Sequence, residues 1–178
     1  MIPIYQNFSS APHRHSDTFS KIDSSVVTKK CILESSVCFD KHVHNNVEVA
    51  TKWRYRCPDK AIVTVEQGGR LGNQMWEYAS VWVVAKATNR EPFVPSCIIH
   101  RLTSVFKNVT KIPPLKYIKN CPVNYETLNE TQMEKHRSNN SIILPRYIQF
   151  TKLVARHLND TLKLFEFQDH LTKRVRIY

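Results

Sequence analysis

Residues Ala61 to Thr88 read AIVTVEQGGRLGNQMWEYASVWVVAKAT, and this stretch decides how the rest of the chain is placed. Ile62, Val63 and Val65 form the β-branched run expected of a strand buried on both faces. Gly68, Gly69 and Gly72 follow at once, and they are the only 3 glycines in the chain. Concentrating them there means that the backbone turns tightly or lets another group approach closely. Asn73 suits a helix N-cap, because its side chain can take a free N–H of the first turn. Met75, Trp76, Ala79, Trp82, Val83 and Ala85 then make a helix over 73–88 too apolar for the surface.

A strand, a glycine turn and a helix N-terminus together can hold an anion. Unpaired N–H groups and the positive end of the helix dipole point at whatever lies over the turn. Arg70 adds a planar fork of donors suited to phosphate. The spacing is neither G-x-G-x-x-G nor the phosphate loop ending in Gly-Lys-Ser/Thr. Residue chemistry alone therefore leaves two readings open, a phosphate cradle and a tight corner between packed elements.

Gly69-Arg70-Leu71-Gly72-Asn73-Gln74-Met75, followed by Trp76-Glu77-Tyr78-Ala79, resembles the opening motif of the α-1,2-fucosyltransferases, glycosyltransferase family 11. A related Gly-Arg-x-Gly-Asn-Gln turn occurs in the protein O-fucosyltransferases. Looser similarity, closest to animal and arthropod-like members, continues through Arg90-Glu91-Pro92-Phe93-Val94-Pro95 and Ile143-Leu144-Pro145-Arg146-Tyr147 and covers roughly the last two-thirds of the chain. Members also carry a His-x-Arg-Arg-Gly-Asp motif further along, and no such string occurs here. The resemblance therefore implies the first half of an enzyme, inactive alone, with a two-lobed GT-B-like fold of which this chain is the N-terminal part.

That family transfers fucose, with inversion, from GDP-fucose to the 2-hydroxyl of a terminal β-galactoside, without a metal or other cofactor. By resemblance, Arg70 and Asn73 are the catalytic candidates, with Gly69, Gly72 and Gln74 binding donor or acceptor. Arg70 and the turn backbone would meet the leaving pyrophosphate, and Asn73 would orient a sugar or phosphate oxygen. A plain cap is the competing role for Asn73. No catalytic base stands out: Glu66 and Glu77 flank the turn, and Glu77 on an apolar helix reads equally as a structural carboxylate. No Asp-x-Asp metal pair occurs. The resemblance also implies a type II Golgi membrane protein facing the lumen, anchored through a segment not present here. A carbohydrate-binding protein without turnover is the alternative.

The 178 residues suffice for one ordinary domain. The net charge of +11 suits an anionic ligand, but the basic residues are scattered and no nucleic-acid fold signature appears, which argues against nucleic acid. No apolar run approaches the ~20 residues that span a bilayer. Asn7, Asn108, Asn129, Asn139 and Asn159 all stand in N-glycosylation sequons, which suits a lumenal protein. The 5 cysteines, Cys31, Cys38, Cys57, Cys97 and Cys121, form no C-x-x-C pair; Cys97 with Cys121 is one bridge their positions allow. His13, His15, His42 and His44 lack acidic or cysteine partners and read as solvated surface rather than metal ligands.

Residues 1–57 are polar and without period, the pattern of a stem or flexible leader, ahead of an α/β domain over 58–178. Strands at 61–66 and 92–95 around the 73–88 helix make a βαβ unit with parallel neighbours, as in a Rossmann-like sandwich. Further along, 98–106 reads as a helix, 115–118 as a strand and 125–137 as helix-prone. Residues 138–141 read as a surface loop and 142–144 as a strand. Helices follow at 151–165 and 168–176, with Leu153, Leu158, Leu162 and Phe165 on one side.

Overall fold

Ile62–Val65 lies inside a parallel sheet, buried at all four residues. The computed structural model describes residues 28–32, 34–38, 53–133, 136 and 138–175. In order, these form β1 (Thr28–Cys31), α1 (Glu34–Val37), β2 (Ile62–Val65), α2 (Leu71–Thr88), β3 (Glu91–Pro92) and α3 (Ser96–Thr103). Then come β4 (Pro122–Thr127), α4 (Glu130–Met133), β5 (Ser141–Leu144), α5 (Thr151–Arg156), α6 (Leu158–Leu164) and α7 (Asp169–Val175). The strand order is β1-β4-β5-β2-β3. The last four are parallel and β1 is antiparallel on one edge. The α/β class and the β2–α2–β3 unit are as expected.

Alternation along the central strands divides the core in two. Val63 and Val65 of β2 join Ile142 and Leu144 of β5 on one face, under Tyr78 and Val81 of α2, Ile98 and Leu102 of α3, and Leu164 of α6. Ile62 and Ile143 project to the other face, where Ile32, Val37, Phe93, Leu115 and Ile118 cover them. Both faces are therefore sealed, which is why these strands carry almost no polar residues.

Several expectations are corrected. Within the stretch expected as a leader, β1 pairs with β4, and Ile32, Val37 and Cys38 are buried. Cys97 bridges Cys38, and Cys57 bridges Cys121, so the Cys97–Cys121 pairing is wrong. Helix α2 begins at Leu71 rather than Asn73. Trp76 and Trp82 are half-buried, while Gln74, Glu77 and Ser80 of the same helix are fully buried. Residues 115–118 form a 3-10 turn instead of a strand, because Pro114 has already made the bridge to Val94.

The polar stretch read as helix-prone opens as strand β4 and, among the described residues, is helical over Glu130–Met133. The helix expected over 151–165 breaks at His157. The break turns Leu158 and Leu162 outward, at 49% and 59% exposure, and puts Val154, Thr161 and Leu164 inside. Helix α2 ends as its sequence suggests: Asn89 adopts a left-handed φ of 53° and returns its N–H to Ala85 O. The Tyr78 hydroxyl donates to Val109 O at 2.9 Å, and burial pushes that phenol up from its ordinary pKa.

Candidate active site

The turn over the carboxyl end of β2 is tied to its neighbours before it reaches the helix. Glu66 N–H donates to Leu144 O at 2.9 Å, and Gln67 N–H donates to Val37 O at 2.7 Å. Gly69 sits at φ +62°, and a Cβ there would fall 2.1 Å from Asn73 Nδ2, so conformation and space both require glycine. A Cβ at Gly68 would meet Arg146 Cβ and Glu77 Oε1, each at 2.9 Å. Gly72 differs. Among the described residues, no atom outside its chain neighbours and its own helix backbone lies within 4 Å of where its Cβ would be. Glycine in a helix costs about 1 kcal/mol relative to alanine, and no packing in this fold accounts for it at Gly72.

The start of α2 is also left open. Arg70 occupies the N-cap with an extended backbone and no side-chain capping bond. The first intrahelical bond is Gln74 N–H to Arg70 O at 3.1 Å. The N–H groups of Leu71, Gly72 and Asn73 are thus the orphan donors of the first turn. The Arg70 side chain is exposed and has no hydrogen-bond or ion-pair partner among the described residues. An uncapped 18-residue helix beside an exposed arginine and an unexplained glycine is an arrangement that accepts an anion.

The expected cap at Asn73 is corrected, since Asn73 is the third helical residue. Its amide instead leans back over Gly69. Gln74 is buried beneath the turn and donates Nε2–H to Gly69 O at 3.2 Å. Gln74 therefore holds the turn from below, while Arg70, Gly72 and Asn73 face its open side. Gly69 forms the corner between them.

The sequence reading passed over the loop after β5 as part of the site. β5 is the parallel neighbour of β2, so the loops that follow the two strands meet at one sheet edge. Ligands of open α/β sheets bind outside these carboxyl ends. Tyr147 takes a left-handed φ of 64°, which a non-glycine residue holds only under constraint. Its ring lies about 3 Å from the ideal Cβ positions of both Gly68 and Gly69. Arg146 Nε lies 3.8 Å from Glu66 Oε2. The signal available in sequence was the Leu144-Pro145-Arg146-Tyr147 string at a strand end.

Glu77 joins the two loops. Its Oε1 accepts the N–H of Tyr147 at 3.0 Å, and Gly68 packs against the same carboxylate, its ideal Cβ position 2.9 Å from Oε1. Oε2 is buried without a partner among the described residues, as is Oε1 of Gln74. Burial pushes the Glu77 carboxyl up to about 7, against the lowering effects of the Tyr147 and Gly68 backbone and the Arg146 charge.

A cavity of about 450 Å³ lies elsewhere, near the C-terminal end of α2, and includes Arg90, Glu130, Lys152 and Arg156. It does not touch the turn. Among the described residues, no group of three or more His, Cys, Asp or Glu is placed to hold a metal, and no helix is long and apolar enough to cross a membrane. Asn7 and the four N-terminal histidines fall outside the described residues.

No family model and no solved structure matches the chain. Among curated proteins, it is 28% identical over 127 residues to galactoside 2-alpha-L-fucosyltransferase Sec1 of Mus musculus, covering 68% of this chain and 33% of that protein. It is 27% identical over 125 residues to galactoside alpha-(1,2)-fucosyltransferase 2 of Mus musculus, covering 67% and 35%. The enzyme of the latter name from Oryctolagus cuniculus is 25% identical over 153 residues, covering 77% and 42%. The chain is related to the galactoside α-1,2-fucosyltransferases, and it spans about a third of the length of the mouse relatives.

Proposed function

We propose that this chain is the N-terminal part of a galactoside 2-α-L-fucosyltransferase, using GDP-fucose and a glycan ending in β-galactose. The observation that carries the reading is the uncapped N-terminus of α2. It displays Arg70 and three N–H groups without a partner among the described residues where the fucosyltransferase-like motif lies. In the reaction, the acceptor 2-hydroxyl oxygen attacks C1 of fucose from the face opposite GDP. The C1–O bond to the pyrophosphate breaks, and the hydroxyl proton passes to a base that this chain does not identify. Negative charge builds on the departing pyrophosphate. Arg70 and the Leu71, Gly72 and Asn73 amides are suited to stabilise it without a metal, since preorganised donors in a fixed site act most strongly where charge develops. The Asn73 amide orients an oxygen of donor or acceptor.

In this reading the α/β sheet is one lobe of a two-lobed GT-B-like enzyme that works in the Golgi lumen as a type II membrane protein. Its two disulfides suit an oxidising compartment. The test combines the sequence that follows Tyr178 with an assay. An in-frame His-x-Arg-Arg-type motif, and transfer of labelled fucose to a β-galactoside by the extended protein, are the expected results. If the extended protein binds galactosides but transfers nothing, the site is a carbohydrate-binding one and the enzymatic reading fails.

A further inference from the structure

Five asparagines stand in N-glycosylation sequons, and the fold treats the four described ones differently. Asn108 donates Nδ2–H to Lys163 O at 2.8 Å and to Glu166 Oε2 at 2.9 Å. Both amide hydrogens are thereby used to join the segment after α3 to the end of α6. Adjacent bonds reinforce this seam: Lys107 N–H reaches Glu166 O at 2.9 Å, and Lys107 Nζ bridges Glu166 and Asp169 at 2.6 and 3.2 Å. A sugar on Nδ2 would replace one of those hydrogens. It would also occupy the ground where residues 163–169 dock.

Asn139 and Asn159 are exposed, but the hydroxyls that complete their sequons are not. Ser141 is 2% exposed and its Oγ accepts the Ile62 N–H at 3.0 Å inside the sheet. Thr161 is 4% exposed and donates to His157 O at 3.0 Å.

Asn129 is the exception. Asn129 and Thr131 are both exposed, and the Thr131 hydroxyl donates to Asn129 Oδ1 at 2.8 Å. Oδ1 also takes the Gln132 N–H at 3.1 Å, while the Asn129 N–H returns to Gln132 Oε1 at 3.0 Å. This reciprocal cap fixes the side chain through its oxygen. Nδ2 has no partner among the described residues and remains in solvent.

We propose that Asn129 is the glycan-bearing asparagine presented by the folded domain, and that Asn108 stays unmodified in the native protein. The inference rests on the lumenal placement proposed above. In the modification, Asn129 Nδ2 loses one proton and forms an N–C1 bond to an oligosaccharide. The C1–O bond to the donor's lipid diphosphate breaks, and that diphosphate leaves with the bonding electron pair. A chain glycosylated at Asn108 before folding cannot close the seam to 163–169, so native material is depleted of it.

The full chain is expressed in eukaryotic cells behind a cleavable secretory signal, so that entry into the lumen is imposed. Secreted, disulfide-intact protein is treated with peptide N-glycosidase in ¹⁸O-water and mapped by mass spectrometry. Labelled aspartate is expected at position 129 and absent at position 108. Asn129→Gln should remove one glycan-sized step in mobility, and Asn108→Gln should remove none. Label at position 108 in the native fraction, or none at position 129 after signal cleavage, overturns the proposal. The lumenal reading fails separately, if the protein with its own upstream sequence is recovered bare from cytosol while the signal-driven form is still labelled at position 129.

Discussion

Glu77 on α2 and Tyr147 in the loop after β5, separated by 70 residues, are joined by a 3.0 Å bond from the Tyr147 N–H to Glu77 Oε1. Since Gly68 packs against the same carboxylate, one buried side chain touches both loops that border the proposed pyrophosphate site. Its raised pKa, from 4.5 to about 7 through burial, makes that tie dependent on pH.

Between these two values the folded state binds more protons at this group than the unfolded chain does. Stability therefore falls as pH rises from about 4.5 to about 7, and levels off above. At about 1.36 kcal/mol per pKa unit, the loss is on the order of 3 kcal/mol. Glu77→Gln keeps an acceptor oxygen for the Tyr147 N–H and removes the charge. Urea unfolding at pH 5 and pH 8 should show this component of the slope abolished in the variant. An unchanged slope would mean that other groups carry it.

The glycines predict opposite outcomes within four residues. Gly69→Ala combines a left-handed φ with a contact of 2.1 Å to Asn73 Nδ2, and should destabilise by about 1–2 kcal/mol or more. Gly72→Ala meets nothing and should stabilise α2 by roughly 0.5–1 kcal/mol, yet lower fucose transfer in an extended protein by crowding the phosphate. Thermal melting alongside the transfer assay gives both readings. Full activity in Gly72→Ala would place the ligand elsewhere.

Arg70→Lys should leave melting unchanged, because the exposed side chain has no partner among the described residues. It should reduce transfer about tenfold or more, since an ammonium cannot reproduce bidentate donation to phosphate. Asn73→Ser loses no capping bond, so it should leave melting unchanged and lower transfer. Parent-level transfer by Asn73→Ser would remove Asn73 from the chemistry.

Non-reducing peptide mapping should recover Cys38 linked to Cys97 and Cys57 linked to Cys121. The paired cysteines lie 59 and 64 residues apart, so removing either bridge should cost on the order of 2–5 kcal/mol. A Cys97–Cys121 peptide would contradict the packing of residues 34–38 against the sheet.

The sequence by itself determined the β2–turn–α2–β3 unit and the place of the candidate site within it. Those features are local. An unbroken β-branched run, all the glycines in one turn and an apolar helix ended by Asn89 each act on neighbouring residues, and together they leave few alternatives. Tertiary structure decided the rest. Strand β4 carries Asn124, Glu126 and Thr127, shows no apolar run, and becomes a strand because β1 and β5 offer partners on either side. Ile32 and Val37 are isolated in sequence and become core only because Ile62 and Ile143 need a cover on that face. Glu77 illustrates the same division at the site. Its position on an apolar helix was visible in the sequence, but its pKa and its hold on two loops depend on a partner brought near by the parallel pairing of β2 and β5.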